Sequence, residues 1–253
     1  MTNTPAAATV APRIQTFSAR LSEKQIYNDI YTLYHFELSA PPRIAFTAGQ
    51  YVLLTVPGTP YRRSYSIASE PDLEHAIELL VDLRPQGEAT RYLGGLELGA
   101  EIEFMGPVGS FTVPRLDSVL GQEESELWFV ATGSGIAPFR SMIEDLLVDD
   151  ADTRPITLVW GLRHAEHQFW YDEFTQLAEQ HANFTFRPML SQPPANWPLD
   201  SGRVTDVLLA HEFADISKTG FFLCGGSSMI EDSKAILLKR GVEEKHIHLE
   251  KFF

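Results

Sequence analysis

The stretch from Leu127 to Pro138 constrains the fold more than any other part of the chain. Leu127-Trp128-Phe129-Val130-Ala131 is a continuous apolar run, the mark of a strand buried on both faces. Thr132-Gly133-Ser134-Gly135-Ile136-Ala137-Pro138 follows at once, and Phe139, Met142, Ile143, Leu146 and Leu147 then recur at helical spacing. Pro138 suits the first turn of that helix. Strand, glycine turn and helix N-terminus in this order make an anion site of the kind that holds a dinucleotide pyrophosphate. The spelling is neither the Gly-x-Gly-x-x-Gly fingerprint nor a P-loop, because no Lys-Ser/Thr pair follows.

The alternation continues to the end of the chain. Residues 156–160 read as a strand ending in Gly161-Leu162-Arg163, and Trp170, Phe174, Leu177 and Ala178 share one face of the next helix. Strands are expected at 184–190, 221–225 and 246–250, with helices at 204–209 and 228–240 and Gly241 as a cap. This predicts a parallel sheet with right-handed crossovers and ligands at the carboxyl ends of its strands. Three of those ends carry chemistry: Arg163, Ser191-Gln192, and Cys224-Gly225-Gly226-Ser227-Ser228-Met229. His246 and His248 alternate on the last strand and read as structural, since the eight histidines show no metal-ligand spacing.

The first half has a different rhythm. Residues 13–21, 31–38, 51–56 and 77–83 are rich in β-branched and aromatic side chains and are broken at Pro41-Pro42, Gly49, Pro57-Gly58 and Pro71. Short strands with such breaks predict an antiparallel barrel or sandwich. Within it, Tyr61-Arg62-Arg63-Ser64-Tyr65-Ser66 sets two guanidinium groups beside rings and hydroxyls. Period-two alternation sends Arg63 and Tyr65 to one face of a strand and Ser64 and Ser66 to the other. Arg63 suits a phosphate and Tyr65 a flat ring. Gly87-Glu88-Ala89-Thr90 then reads as a turn opening a short helix that Gly94-Gly95 ends, and Gly106-Pro107-Val108-Gly109-Ser110-Phe111 as a tight reversal. Residues 117–126 are polar and acidic and read as a linker.

Composition narrows the partners. A net charge of −14 argues against nucleic acid. The single cysteine, Cys224, excludes an internal disulfide or a cysteine-ligated iron–sulfur cluster within these 253 residues. No run of eighteen apolar residues occurs, so no membrane span is expected. Residues 1–12 read as a loose tail rather than a signal peptide, and the cytoplasm is the expected compartment.

Five stretches stand in an order that resembles the ferredoxin–NAD(P) reductase and oxygenase-reductase family. They are Arg-x-Tyr-Ser at 63–66, Gly-x-x-Thr at 87–90, Gly-Pro-x-Gly-x-Phe at 106–111, Thr-Gly-x-Gly-Ile-Ala-Pro at 132–138 and Cys-Gly-x-x-x-Met at 224–229. The resemblance covers nearly the whole chain from Arg13 and implies an antiparallel Greek-key β-barrel over 13–116 for FAD, with FMN less favoured. A Rossmann-like parallel α/β nucleotide-binding domain for NAD(P)H follows over 127–253. It implies that Arg63 holds the flavin phosphate, that Tyr65 packs on the ring system with Ser64 and Ser66 near it, and that Val81 and Leu83 line the flavin. Gly87, Ala89 and Thr90 would take its phosphates. Thr132, Gly133, Gly135 and Pro138 would take the coenzyme, with Arg163 and Ser191 toward its far end. Cys224, Gly225 and Met229 would stand beside the nicotinamide, Cys224 as a packing residue rather than a nucleophile. Ser66, Cys224 and Glu250 are the implied residues of the reacting centre, and Phe253 or Phe252 would cover the flavin until coenzyme displaces it.

The resemblance also implies hydride transfer from NAD(P)H to flavin, then electron transfer to a separate small carrier: ferredoxin, flavodoxin or an oxygenase component. No ferredoxin domain is read within these 253 residues, so the carrier is expected to be a separate protein, and a monomer is expected. Gln192-Pro193-Pro194 after Ser191 supplies no cation for a 2′-phosphate, which favours NADH slightly over NADPH. The alternatives are a reductase of free flavin and a non-catalytic electron-transfer subunit.

Overall fold

The computed structural model describes residues 14–149 and 151–252, with only the backbone of Asp149 and Phe252. The expected tail at 1–12 and Phe253 lie outside the described residues. The first sheet comprises β1 (Gln15–Ile26), β2 (Tyr31–Ala40), β3 (Tyr51–Thr55), β4 (Arg62–Ser66), β5 (Ala76–Asp82) and, after helix α1 (Glu88–Gly94), β6 (Glu101–Val108). Its order is β4-β3-β6-β1-β2-β5, antiparallel throughout. An isolated bridge between Ile67 and Leu79 brings the two edges together, so the sheet is a nearly closed barrel. Alternating residues fill its interior: Phe17, Ala19 and Leu21 from β1, Tyr34 and Phe36 from β2, Val52 and Leu54 from β3. Phe17 stacks on Phe104 at 5.2 Å between ring centres.

The second half begins with the one-turn helix α2 (Val119–Glu123) and continues β7 (Glu126–Thr132), α3 (Ala137–Glu144), β8 (Ile156–Leu162), α4 (Tyr171–Gln180), β9 (Phe184–Leu190), β10 (Asp200–Ser201), α5 (Val204–Ala210), β11 (Thr219–Gly226), α6 (Ser227–Lys239) and β12 (Ile247–Phe252). The sheet order is β10-β9-β8-β7-β11-β12, all parallel. β7 therefore stands in the middle, where successive crossovers change direction. Its apolar run serves two cores: Leu127, Phe129 and Ala131 face the cluster shared with the barrel, while Trp128 and Val130 face the one under α5 and α6. No helix among the described residues is long and apolar enough to cross a membrane.

Two sequence expectations change. The parallel sheet has a sixth strand, β10, whose two residues are too few for a periodic signal. The glycine turn after β7 is a 3-10 turn over Gly133–Ile136, and α3 begins at Ala137 with Pro138 in its first turn, as the sequence suggested. Trp170 is not on the face of α4 but caps it in a left-handed conformation (φ 54°).

The segment read as a linker is not a simple tether. Ser118 caps α2 by accepting the Gly121 N–H (3.0 Å), and Glu124 is fully buried. Glu124 Oε1 lies 3.1 Å from His246 Nδ1 and 2.8 Å from His248 Nε2, so this segment is fastened to the last strand. The buried pair Arg154–Asp152 adds bonds from the guanidinium to the carbonyls of Pro114, Gly121 and Glu124. His246 itself lies in a 3-10 turn just before β12.

Barrel and parallel sheet meet where α3 lies against β5. Arg140 of α3 donates to the Ala68 carbonyl (3.0 Å), to Glu78 of β5 (2.8 Å) and to Glu173 of α4 (2.6 Å). Glu144 stands 3.5 Å from the same guanidinium. Burial pushes the Glu144 carboxyl up to about 7, with Arg140 opposing the rise and Glu173 adding to it. A carboxyl whose folded value exceeds its unfolded one stabilises most below the unfolded value and loses that contribution as pH rises through the folded value. The window here runs from about 4.5 to about 7. Glu144→Gln is expected to raise the denaturant midpoint more at about pH 8 than at about pH 5, because only the carboxyl loses its proton between them. An equal change at both pH values would contradict the assignment.

Candidate functional site

One cleft of about 1260 Å³ runs between the two halves. It opens where β7 and β11 end, at the change of crossover direction, the place where open parallel sheets bind ligands. Its walls come from β4, the end of β5, the turn into α1, the turn after β7 and the ends of β11 and β12.

All of β4 lines the cleft: Arg62, Arg63, Ser64, Tyr65 and Ser66. The expected two-face split is not what governs their exposure. Arg62, Arg63 and Ser64 are exposed, Tyr65 half-buried and Ser66 buried. β4 is at the edge of the sheet, and burial deepens along it from Arg62 to Ser66 rather than alternating across it. Burial pushes the Tyr65 phenol up to about 12, so it stays a neutral hydrogen-bonding group. The Arg63 guanidinium lies over the Tyr61 ring (5.4 Å) and donates to the Arg62 carbonyl. Neither Arg62 nor Arg63 meets a carboxylate among the described residues.

At the deep end the two halves touch through chemistry-bearing groups. The Ser66 hydroxyl donates to Glu250 Oε1 at 2.8 Å. Burial raises the Glu250 carboxyl above its ordinary value, and the Ser66 bond opposes the rise. Cys224 is the register partner of both Glu250 on β12 and Ala131 on β7. It is fully buried, and burial, then Glu250, lifts its thiol well above the ordinary range. A thiol held in that state is a packing group beside the cleft, not a nucleophile.

The coenzyme-side residues divide into two sets. Thr132, Gly133 and Gly225 line the cleft. Gly225 has φ 145°, and a Cβ there would stand 2.3 Å from Thr132 Oγ1, which accepts the Gly226 N–H at 3.4 Å. The side-chain space at Gly135 is taken by β11: a Cβ would meet the Cys224 carbonyl at 2.3 Å. Gly135 thus lets the turn close onto the strand. Pro138 is buried at the start of α3. Met229 is half-buried, its sulfur accepting from Ser233. Arg163 and Ser191 are exposed at the ends of β8 and β9, outside the cleft lining, and the Ser191 N–H donates to the Leu162 carbonyl (3.0 Å).

On the barrel side, Gly87, Ala89 and Thr90 line the cleft, and the Thr90 hydroxyl is within reach of the Pro85 and Gly87 carbonyls. Val81 and Leu83 do not line it. Val81 points into the barrel core with Leu83 packed beside it, and their neighbours Leu80 and Asp82 face the cleft instead. The strand was legible, but its facing is set by the pairing of Leu80 with Leu33 and of Asp82 with Tyr31 on β2. Sequence reasoning also missed Arg84, which is paired with Asp82 and lies over the Tyr31 ring (5.8 Å), and Lys251. Arg62, Arg63, Arg84 and Lys251 against Asp82 and Glu250 make the lining cationic in a chain of net charge −14.

The geometry fits a flavin dinucleotide and a nicotinamide coenzyme together. The cleft exceeds the roughly 300–1,000 Å³ of an ordinary small-molecule pocket, offers free guanidinium groups at its barrel end, and has a turn-helix at its other wall. Comparison with known proteins agrees. Residues 18–113 match the model of an oxidoreductase FAD-binding domain and residues 129–235 that of an oxidoreductase NAD-binding domain. The chain is 36% identical over 222 residues to the reductase component of phenol 2-monooxygenase from Pseudomonas sp. (strain CF600), covering 87% of this chain and 60% of that protein. It is 33% identical to the reductase subunit of an aromatic O-demethylase from Amycolatopsis, covering 83% of this chain and 61% of that one. The crystal structure of an Amycolatopsis cytochrome P-450 reductase superposes with a TM-score of 0.86 at 29% identity, over 98% of this chain and 73% of that one. The chain spans about three fifths of the length of these curated relatives.

Gly135→Ala is expected to lower stability by roughly 1–3 kcal/mol, because backbone on β11 must shift to admit the methyl group. Gly226→Ala, where a Cβ meets nothing within 4 Å, is the control, with a change within about 0.5 kcal/mol. Thermal unfolding of the two variants checks this, and equal midpoints would contradict the packing role of Gly135.

Proposed function

The chain belongs to the ferredoxin–NAD(P) reductase family of flavoproteins, and on that premise we propose that it transfers hydride from NAD(P)H to FAD and passes electrons to a separate protein acceptor, an oxygenase component in the first instance. A ferredoxin or flavodoxin acceptor is the alternative within the same reading. The observation that carries it is the Ser66–Glu250 hydrogen bond at the floor of one cleft, where the barrel and the last parallel strand meet. When bound, the flavin supplies hydride acceptance and stepwise electron release. The chain's own residues do the positioning.

Arg63 and the amides of the turn before α1 bind the phosphates, and Tyr65 presents its half-buried ring beside them. FAD is favoured over FMN because the cleft extends well beyond the space a mononucleotide needs. Ser66 and Glu250 share a proton-bearing contact in a buried setting, so they orient polar ring edges and exclude water. Cys224 packs behind them. Thr132, Gly133 and the backbone of Gly225 and Gly226 face the coenzyme pyrophosphate.

NADH is favoured over NADPH. Ser191 leads into Gln192-Pro193-Pro194, which carries no cation. Arg163 and Arg203 are both exposed at the same carboxyl edge and are the groups that would oppose this preference. Steady-state kcat/KM for the two coenzymes decides the point: NADH is expected to be the better substrate, and an advantage of about tenfold for NADPH would overturn the preference.

The absorbance spectrum of the purified protein and its anaerobic titration with NADH test the main reading. A stoichiometric flavin spectrum bleached by NADH is expected, and a colourless protein that reduces only added flavin would replace it with a free-flavin reductase. Arg63→Ala is expected to weaken flavin retention by roughly 1.5–3 kcal/mol, the worth of a hydrogen bond to a charged group. Full flavin occupancy of that variant on dilution would remove Arg63 from the site.

A further inference from the structure

Arg140 makes two hydrogen bonds across the seam between the halves, to the Ala68 carbonyl and to Glu78, and neither partner is at the cleft lining. We propose that Arg140 is a positioning residue for the reaction: it fixes the end of β4, and with it Ser66, against the helix that carries the coenzyme-facing turn. The inference rests on the reading of the cleft as a flavin and nicotinamide site.

The guanidinium is built into both halves at once. Its Nη1 donates to the Ala68 carbonyl at 3.0 Å and to Glu78 Oε2 at 2.8 Å, both on the barrel. Its Nε donates to Glu173 Oε1 at 2.6 Å, on the parallel-sheet side. The Trp170 indole lies beneath it at 5.0 Å. That ring is held by a bond from its Nε1 to the Tyr27 hydroxyl (2.6 Å) and by the left-handed backbone of Trp170 itself. A bulky residue in that region is unusual, and such strain persists only where the surroundings over-determine it.

Ala68 is the residue that matters. It lies two positions after Ser66, and its N–H donates to the Glu78 carbonyl (2.8 Å). One Arg140 nitrogen therefore holds both Ala68 and the residue Ala68 is bonded to. On the other side, Arg140 lies one turn after Ala137, which with Gly133 and Ser134 lines the cleft. A rigid path of few bonds thus links the Ser66 hydroxyl to the coenzyme turn. The planar fork cannot be reproduced by an ammonium, which is a point charge with no fixed plane. A shift of about 1 Å between reacting groups costs up to a hundredfold in rate.

The test uses Arg140→Lys and Arg140→Met in the flavin-loaded protein. Anaerobic stopped-flow reduction by NADH is expected to show a limiting rate lowered about ten- to a hundredfold, with the apparent Kd for NADH within about threefold of the parent. Hydrogen exchange, which needs no coenzyme, is expected to rise at Ile67 and Ala68 while the amides of β8 and β9 keep their protection. Arg140→Lys, which retains the charge, decides the matter if Arg140→Met fails to fold. A limiting rate within about twofold of the parent, or unchanged exchange at Ile67 and Ala68, would overturn the proposal. If the parent protein itself is not reduced by either coenzyme, the reading of the cleft fails, and the positioning role falls with it whatever the exchange shows.

Discussion

The structure depends on burying charge at the seam between its two halves. An arginine taken out of water costs several kcal/mol unless its hydrogens and its charge are met. Arg140 is met by Glu78, Glu173 and a carbonyl, with Glu144 close by. Glu78 also lies 3.3 Å from His35 on β2, so the network reaches into the barrel wall. Around it the apolar cluster is continuous: Tyr31, Leu33 and Leu80 from the barrel pack with Ile136, Phe139, Met142 and Phe169 from the other half. Hydrophobic burial supplies the attraction without direction, and the guanidinium network supplies the register.

The cleft follows from how that seam is placed. α3 contacts β5 at the level of Ala68, Glu78 and Arg140, which leaves the ends of β4, β7, β11 and β12 facing one another across a gap. Within the gap the charges are sorted. The cations of Arg62 and Arg63 stand free at the barrel mouth, whereas Arg84 and Lys251 are paired with Asp82 and Glu231. The half-buried Glu250 lies at the floor, its carboxyl bonded to Ser66 and backed by a thiol that burial keeps protonated. An acidic chain thus presents a locally basic entrance to a phosphorylated ligand and a sheltered floor to the rings such ligands carry.

The last strand is secured at both ends. Glu124, buried beside Gly220 of β11, meets His246 and His248 where β12 begins, and Ser66 meets Glu250 near its end. The His248 ring also stacks on Phe222 at 4.3 Å. The two attachments fix the strand's register, and register decides which of its residues face the cleft.

Local pattern determined the elements and their kinds. The run at 127–131 carries the mark of a doubly buried strand, the punctuation of the first half pointed to short antiparallel strands, and the stretches 63–66, 132–138 and 224–229 each contribute residues to the cleft lining. These signals are legible because they depend on neighbours a few residues away. The facing of Val81, the depth gradient along β4, the left-handed Trp170, the buried Glu124 and the role of Arg140 were decided only when distant segments met. The barrel partners of Arg140 lie 62 and 72 residues off and the histidines that meet Glu124 lie 122 and 124 residues off, and the sequence carries no period that spans such separations. Burial and charge pairing across the seam are properties of the assembled surface, which is why only the tertiary structure shows them.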